Sequence, residues 1–352
     1  MATAPAGLYL LIKGSLLNRV ITLTMSTRIP LIYGAASFGA KSPQSVGARI
    51  NTLEDAQQVI DLFVSHGHKG LDTSRIYGAG SSEEFLGQLD LKGCAIDTKA
   101  FPGRPRAFSP GGFAPDKLRV SLEQSLKALG KHKIRTFFLH CPDRSVPIED
   151  TLRAVNEFHR EGHFEEFGLS NYNSWEVAEI ACIATVNGWV KPTVYEGVYN
   201  AVERNVEIEL FPCLRHFGIR FSAYSPLAGG LLTGKILSED DMQNASGSRW
   251  DISVSPIAQV LRTRYAPLLP VLRELKAITD KYNIRLSEVA QRWLQHHSGL
   301  QPTDAIIIGA SSISQLETNL KECAGGPLPD DILGLLEDAW KQAKSVAPHY
   351  AF

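Results

Sequence analysis

Eight short runs rich in β-branched and other apolar residues, each followed by a stretch with helical apolar spacing, constrain the fold of this chain more than anything else in it. The runs are PLIYGAAS, GLDTS, CAIDTKA, RTFFLHC, EEFGLSN, PTVYEGVYN, IRFSAYSP and DAIIIGAS. Strands that alternate with helices pair in parallel, because a parallel connection needs a long crossover, and mostly apolar strands fit a sheet covered on both faces. Eight such units predict a closed α/β structure, a (β/α)8 barrel of the TIM type.

Capping and periodicity place the helices. Residues 115–130 open with Pro115 and Asp116, set Leu118, Leu122, Leu126 and Leu129 on one stripe, and stop at Gly130. Residues 174–188 behave the same way, from Ser174 to Gly188. Two features exceed a minimal barrel. Residues 229–265 have no sustained period and predict a long loop after strand seven. Residues 329–344 predict an additional C-terminal helix, followed by a tail, SVAPHYAF, that can fold over a barrel mouth. The expected layout is an N-terminal extension over residues 1–28 and a barrel over 29–352.

Composition serves mainly to exclude. A formal net charge of −1 lacks the basic excess of a nucleic-acid binder, and no run reaches the ~18 apolar residues of a membrane span. Five cysteines without a C-x-x-C pair predict neither a disulfide framework nor a zinc site, so a reducing, cytoplasmic setting is expected. Cys141, beside His140, reads as a reactive thiol or as core filler. The first 53 residues hold no Asp or Glu, and GLYLLIKGSLLNRVITLTM carries Lys13 and Arg19. That pattern fits a mitochondrial presequence; an extension ahead of a true start at Met25 fits equally.

The chemistry sits at strand ends. Asp72, Lys99 and His140 close three successive runs, and Tyr77 lies five residues past Asp72. A barrel gathers the carboxyl ends of its strands on one face, which brings all four into one pocket. Reducing a carbonyl needs a hydride, a proton donor aimed at oxygen, and charge that eases proton transfer. A phenol with a pKa near ~10 is a poor acid, and a neighbouring ammonium lowers it. Lys99 supplies that ammonium, Asp72 holds Lys99, and His140 hydrogen-bonds the substrate oxygen. Each residue alone has a duller reading: a chance Asp–Tyr spacing, a solvated strand-end lysine, a core histidine. With no metal cluster and no activated nucleophile, the hydride has to come from a cofactor. No GxGxxG follows the first strand, so a dinucleotide would bind a barrel. The glycines of SPLAGGLLTGK, Ser225 to Lys235, let backbone N–H groups approach a pyrophosphate. Ala310, Ser311 and Ser312 open a helix and suit a phosphate, or simply cap that helix.

The chain resembles the aldo-keto reductases from Ile29 to its C-terminus. VYEGVYNAVERNVEIELFPCLRHFGIRFSAYSPLAGGLLTGK is similar to the branch that contains aflatoxin-aldehyde and succinic-semialdehyde reductases. The resemblance implies that Asp72, Tyr77, Lys99 and His140 form the catalytic tetrad and that NADPH is the cofactor. It implies that Ser225, Pro226, Leu227, Gly229 and Lys235 belong to the diphosphate loop, with Gln315 and Asn319 at the adenosine portion. Tyr224 would stack on the nicotinamide, Ser170 and Asn171 would hold its carboxamide, and Arg249 would lie at the cofactor, favouring NADPH if opposite its 2′-phosphate. Where similar chains carry Gln, this one has Glu196, whose carboxylate accepts a hydrogen bond but donates one only when protonated. Positions that read an acidic substrate correspond here to Leu261, Arg264 and Phe352. Losing two charge-assisted bonds costs about 1.5–3 kcal/mol each for an anion, which points to a more apolar or aromatic carbonyl walled by Trp250 and Phe352. A homodimer is expected from the resemblance. Two rival readings stay open: a Schiff-base aldolase using Lys99, and a cofactor-binding regulatory subunit with little turnover.

Overall fold

In the computed structural model, which describes residues 27–352 apart from 43, 44, 46, 105, 106, 109, 110, 254, 256, 257, 346 and 348, eight parallel strands close a barrel. They are β1 (Leu31–Gly34), β2 (Gly70–Asp72), β3 (Ala95–Ala100), β4 (Ile134–Leu139), β5 (Phe164–Ser170), β6 (Pro192–Val198), β7 (Arg220–Tyr224) and β8 (Ala305–Ile308). Each predicted run overlaps one of them, β4 and β5 beginning one residue ahead of their runs. Around the barrel every strand pairs with its sequence neighbours, and β8 closes on β1 through Leu31 opposite Ile306. The predicted targeting segment, residues 1–25, lies outside the described residues.

Six helices follow the first strands: α1 (Leu53–Ser65), α2 (Ser81–Gln88), α3 (Pro115–Leu129), α4 (Ile148–Arg160), α5 (Ser174–Asn187) and α6 (Leu210–His216). α3 begins at Pro115 and ends against Gly130, whose positive φ of 60° terminates it; Leu118, Leu122 and Leu129 are buried and Leu126 is half-buried. A capping box joining Asn173 and Glu176 starts α5, and Gly188 stops it.

The segment after β7 departs from the expected loop. It holds a 3-10 stretch at Ala228–Thr233, then α7 (Glu239–Gln243) and α8 (Ala258–Tyr265). Helices of five and eight residues span too few turns to show a period in sequence. Ser238 Oγ caps α7 by accepting from Asp241 N at 3.1 Å. The barrel is completed by α9 (Leu269–Lys281), α10 (Leu286–His296) and α11 (Ile313–Cys323), and the expected extra helix is α12 (Asp330–Ala343), packed on α9. Among the described residues no helix is long and apolar enough to cross a membrane.

Strand alternation aims the functional side chains. On β3, Thr98 faces the helices and donates to Glu83 of α2 at 2.5 Å, whereas Asp97 and Lys99 point inward. On β5, Gly168 leaves room for an aromatic ring, since a Cβ there would lie 2.4 Å from the Phe138 ring. Phe138 therefore fills the barrel interior, with Lys99 Nζ 5.5 Å from its ring centroid.

Candidate active site

Lys99 is the centre of the site and is fully buried. Its ammonium donates to Asp72 Oδ1 and, at 3.0 Å, to the carbonyl of Thr73. Glu196 Oε2 lies 3.1 Å away. Nζ also stands 5.6 Å from the centroid of the Tyr77 ring. Burial pulls an ammonium toward neutrality, but Asp72 and Glu196 overcome that pull and hold Lys99 above the usual lysine range. It is thus a fixed cation, which argues against service as a neutral Schiff-base nucleophile.

Tyr77 reaches the pocket because the chain turns sharply beyond it: Gly78, Ala79 and Gly80 all have positive φ before α2 begins. Its hydroxyl has no hydrogen-bond partner among the described residues, and its side chain is half-buried. Lys99 pulls the Tyr77 pKa down as expected, but that pull does not prevail. Burial raises it, Lys99 lowers it, and Asp72 and Glu196 raise it again, so the net shift is upward. One ammonium shared between two carboxyl groups has little charge left to offer a phenol.

His140 stands edge-on to Tyr77, ring centroids 5.8 Å apart, and edge-on to Phe101 at 5.6 Å. Burial, with Lys99 adding to it, holds its imidazole down to about 3, so the ring is neutral across the ordinary pH range. Its Nδ1 lies 3.2 Å from Ser74 Oγ, which in turn lies 3.1 Å from the Lys99 carbonyl. Sequence reading missed Ser74, although its place between Asp72 and Tyr77 was the available signal. Cys141 is buried and its thiol is pushed up to about 12, the property of core filler.

Asn171 ends β5 in a left-handed conformation, φ 62°. Its amide nitrogen donates to the carbonyl of His140 at 2.9 Å and to Ser170 Oγ at 3.0 Å; its amide oxygen accepts from Tyr224 at 2.8 Å. The side chain thereby ties β4, β5 and β7 together at the mouth. In register, Ser170 pairs with Glu196 and Glu196 with Ser222, so β5, β6 and β7 present a continuous row. The C-terminal tail lies against this row: Phe352 N donates to Asn171 O at 3.1 Å and its carbonyl accepts from Arg144 at 2.8 Å. Tyr350 is buried, donating to Glu209 at 2.5 Å and accepting from Ser174 N at 3.0 Å. Phe352 remains 60% exposed.

The other predicted positions divide into groups engaged by the protein and groups left open. Engaged are Asn319, buried and donating to the Gly309 carbonyl at 3.0 Å; Gln315, accepting from Ser311 N and Oγ; and Ala310, accepting from Tyr33. Arg264 pairs with buried Glu203, which also accepts from Tyr265 at 2.6 Å and Asn200 at 2.7 Å. Trp250 is buried and packs against Tyr265, centroids 6.0 Å apart; Leu261 is buried beneath Gly229. Open are Lys235 and Arg249, both exposed; Ser225, Leu227 and Gly229 are half-exposed around buried Pro226, as is Tyr224, whose hydroxyl is held by Asn171, while Ser311 and Ser312 are exposed but engaged by Gln315, Ser311 Oγ donating to it and Ser312 Oγ accepting from its N–H. No carboxylate of the described residues pairs with Arg249; protein surroundings lower its pKa, Tyr77 raises it and Arg49 lowers it.

Tested as the seat of a dinucleotide, these groups fit. Backbone with positive φ runs through Ser225, Ala228, Gly229 and Gly230, and at the two glycines no Cβ crowds an approaching anion. Two exposed serines stand at the start of α11, and an unpaired guanidinium lies within electrostatic reach of Tyr77. The loops after β7 and β8 are neighbours because those strands pair.

Comparison with known proteins agrees. The model of the Aldo/keto reductase family matches residues 30–341. The chain is 41% identical to the human aldo-keto reductase family 7 member A3, over 93% of this chain and 99% of the relative. It is 42% identical to the mouse aflatoxin B1 aldehyde reductase member 2, over 87% of this chain and 85% of the relative. It is 39% identical to the human aflatoxin B1 aldehyde reductase member 4, over 93% and 99%. With a closed eight-stranded barrel and matches over most of its length, the chain belongs to the aldo/keto reductase family, oxidoreductases that use a nicotinamide cofactor.

Proposed function

We propose that this protein reduces an aldehyde or reactive ketone to the alcohol, with NADPH as cofactor and Tyr77 as general acid. The observation that carries the reading is the convergence of a buried Asp72–Lys99 ion pair, a phenol free of hydrogen bonds and a neutral imidazole at one point of the barrel mouth. A nicotinamide cofactor, which Tyr224 would help to hold, would supply the hydride for the carbonyl carbon. Tyr77 delivers a proton to the oxygen as charge develops there. Lys99, held by Asp72, stabilises the phenolate left behind, and His140 orients the carbonyl from Nε2. Tyr224, Ser170 and Asn171 position the nicotinamide; the loop from Ser225 to Lys235, with Arg249, Ser311 and Ser312, takes the phosphates.

The preference for NADPH over NADH rests on the resemblance to the relatives above. For the substrate, two of those relatives are named for an aflatoxin B1 aldehyde. Arg264 is the cation closest to an acidic-substrate role, yet it is paired with Glu203, so an uncharged carbonyl fits better.

Tyr77→Phe removes the proton donor and nothing else. Reduction of a panel of aliphatic, aromatic and acidic aldehydes is expected to fall by about 10²–10⁴-fold, the usual contribution of a general acid, with cofactor binding retained. Undiminished turnover in this variant refutes the assignment.

A further inference from the structure

We propose that Asp72 and Glu196 share one proton, held on Glu196, and that this proton sets the charge beside Tyr77, making Glu196 a positioning residue for the proton donor. The inference rests on the reading of Tyr77 as general acid. Its physical basis is a charge imbalance. Two buried carboxyl groups face one ammonium, and burial makes the surplus negative charge costly to keep. Asp72 takes the direct hydrogen bond from Lys99; Glu196 Oε2, 3.1 Å from the same nitrogen, is out of line for one and has no other partner. The two carboxyls lie close enough to hydrogen-bond once one is protonated. Like-charged carboxyls in one site retain a proton between them for this reason.

The groups facing Glu196 are Asp72 from β2, Asp97 and Lys99 from β3, Tyr77 from the loop before α2 and Tyr224 from β7. Asp97 is neutralised by Arg135, whose Nε donates to it at 2.8 Å. Among the described residues Lys99 is therefore the cation in direct contact with both carboxyls, Arg135 reaching Asp72 only from beyond Asp97. Burial first, then Asp72, holds Glu196 well above the usual carboxylate range. While the proton stays, Asp72, Lys99 and Glu196 sum to zero. When it leaves to solvent, the cluster becomes an anion, Tyr77 binds its own proton more tightly, and transfer to the substrate slows.

Two measurements test this. Infrared difference spectra of the cofactor-free protein are recorded for wild type against Glu196→Gln at neutral pH. Wild type is expected to show the C=O stretch of a protonated carboxyl that the variant lacks; the buried carboxyls Glu83 and Glu322 contribute to both and cancel. The pH profile of carbonyl reduction is expected to fall on the alkaline side in wild type, and Glu196→Gln to move that fall up by about one pH unit or more, whatever its plateau rate. No lost band, or superimposable profiles, overturns the proposal. Asp72→Asn provides a second reading should Glu196→Gln not fold: with Lys99 to itself, Glu196 ionises and the band disappears, whereas a persisting band overturns the proposal. Because the spectra need neither cofactor nor carbonyl, a missing band beside an inactive Tyr77→Phe sinks this inference and leaves the reductase reading standing. An intact band beside a fully active Tyr77→Phe does the reverse.

Discussion

The two sides of the barrel mouth are built on opposite principles. On the side of β2, β3, β4 and β6, charged and polar groups are buried and engage one another: Lys99 with Asp72 and Glu196, His140 with Ser74. On the side of the loops after β7 and β8, Lys235, Arg249, Ser311 and Ser312 stand exposed, and Arg249 has no carboxylate partner among the described residues. A preorganised, dry cluster holds its geometry without a ligand, which general acid chemistry requires. Unpaired groups on a loop are what a large anionic ligand needs to meet. The difference teaches that stability and binding are separable here, and substitutions on the two sides should fail in different assays.

The sharpest way to break the comparison is Lys99→Met. Removing the cation leaves Asp72 and Glu196 facing each other in the interior, and breaking a buried pair in this way costs about 3–5 kcal/mol. Both carboxyls then have folded-state pKa values above their unfolded ones. The folded variant therefore binds more protons than the unfolded chain, so its stability is greatest in acid and is lost as pH rises through those values. Urea unfolding at several pH values is the measurement. A variant as stable as wild type at neutral pH would show that the cluster is not a structural unit.

Arg249→Ala probes the opposite side, with a smaller effect of another kind. Loss of a charge-assisted contact costs about 1.5–3 kcal/mol, or about ten- to a hundredfold in cofactor Kd, while the unfolding midpoint should not move. The electrostatic coupling of Arg249 to Tyr77 sets it toward the reacting end of the pocket. The loss is accordingly expected for NADPH and NADH alike, measured by fluorescence titration. A loss confined to NADPH would place this guanidinium at the 2′-phosphate instead.

What the sequence revealed follows the same division. The eight strands were legible because each is a short apolar run bounded by helix signals, and Asp72, Lys99 and His140 were legible because they terminate such runs. Tyr77, whose five-residue offset from Asp72 says little alone, came with the resemblance to the aldo-keto reductases. What could not be read was the balance of charge among residues from different strands. Seen as a pair, Lys99 lowers the pKa of Tyr77; in the fold, burial first, then Asp72 and Glu196, outweigh it. Nothing in VYEGVYN announces that Glu196 shares the lysine of β3. Arg264 likewise reads as a free cation until Glu203, some sixty residues earlier, is found against it. Gly168 looks like an unremarkable strand glycine until the Phe138 ring occupies the space its Cβ would need.

The mildest test concerns a single hydrogen on the dry side. The Ser74 hydroxyl has one proton and two acceptors in reach, the Lys99 carbonyl at 3.1 Å and His140 Nδ1 at 3.2 Å. If the proton goes to the carbonyl, Ser74 accepts from Nδ1–H and His140 turns a bare, accepting Nε2 toward the pocket. If it goes to Nδ1, Nε2 carries the hydrogen and can donate to a carbonyl oxygen, as reduction requires. Because burial and Lys99 keep the ring neutral down to about 3, a second proton cannot remove this choice at ordinary pH. Ser74→Ala abolishes the donor to Nδ1 and leaves the tautomer unguided. Its stability cost is that of one buried neutral hydrogen bond, about 1 kcal/mol. The expected signature is a several-fold fall in kcat/KM for carbonyl reduction with cofactor affinity unchanged and no new acid limb in the pH profile. An unchanged kcat/KM would mean that His140 selects its tautomer without Ser74.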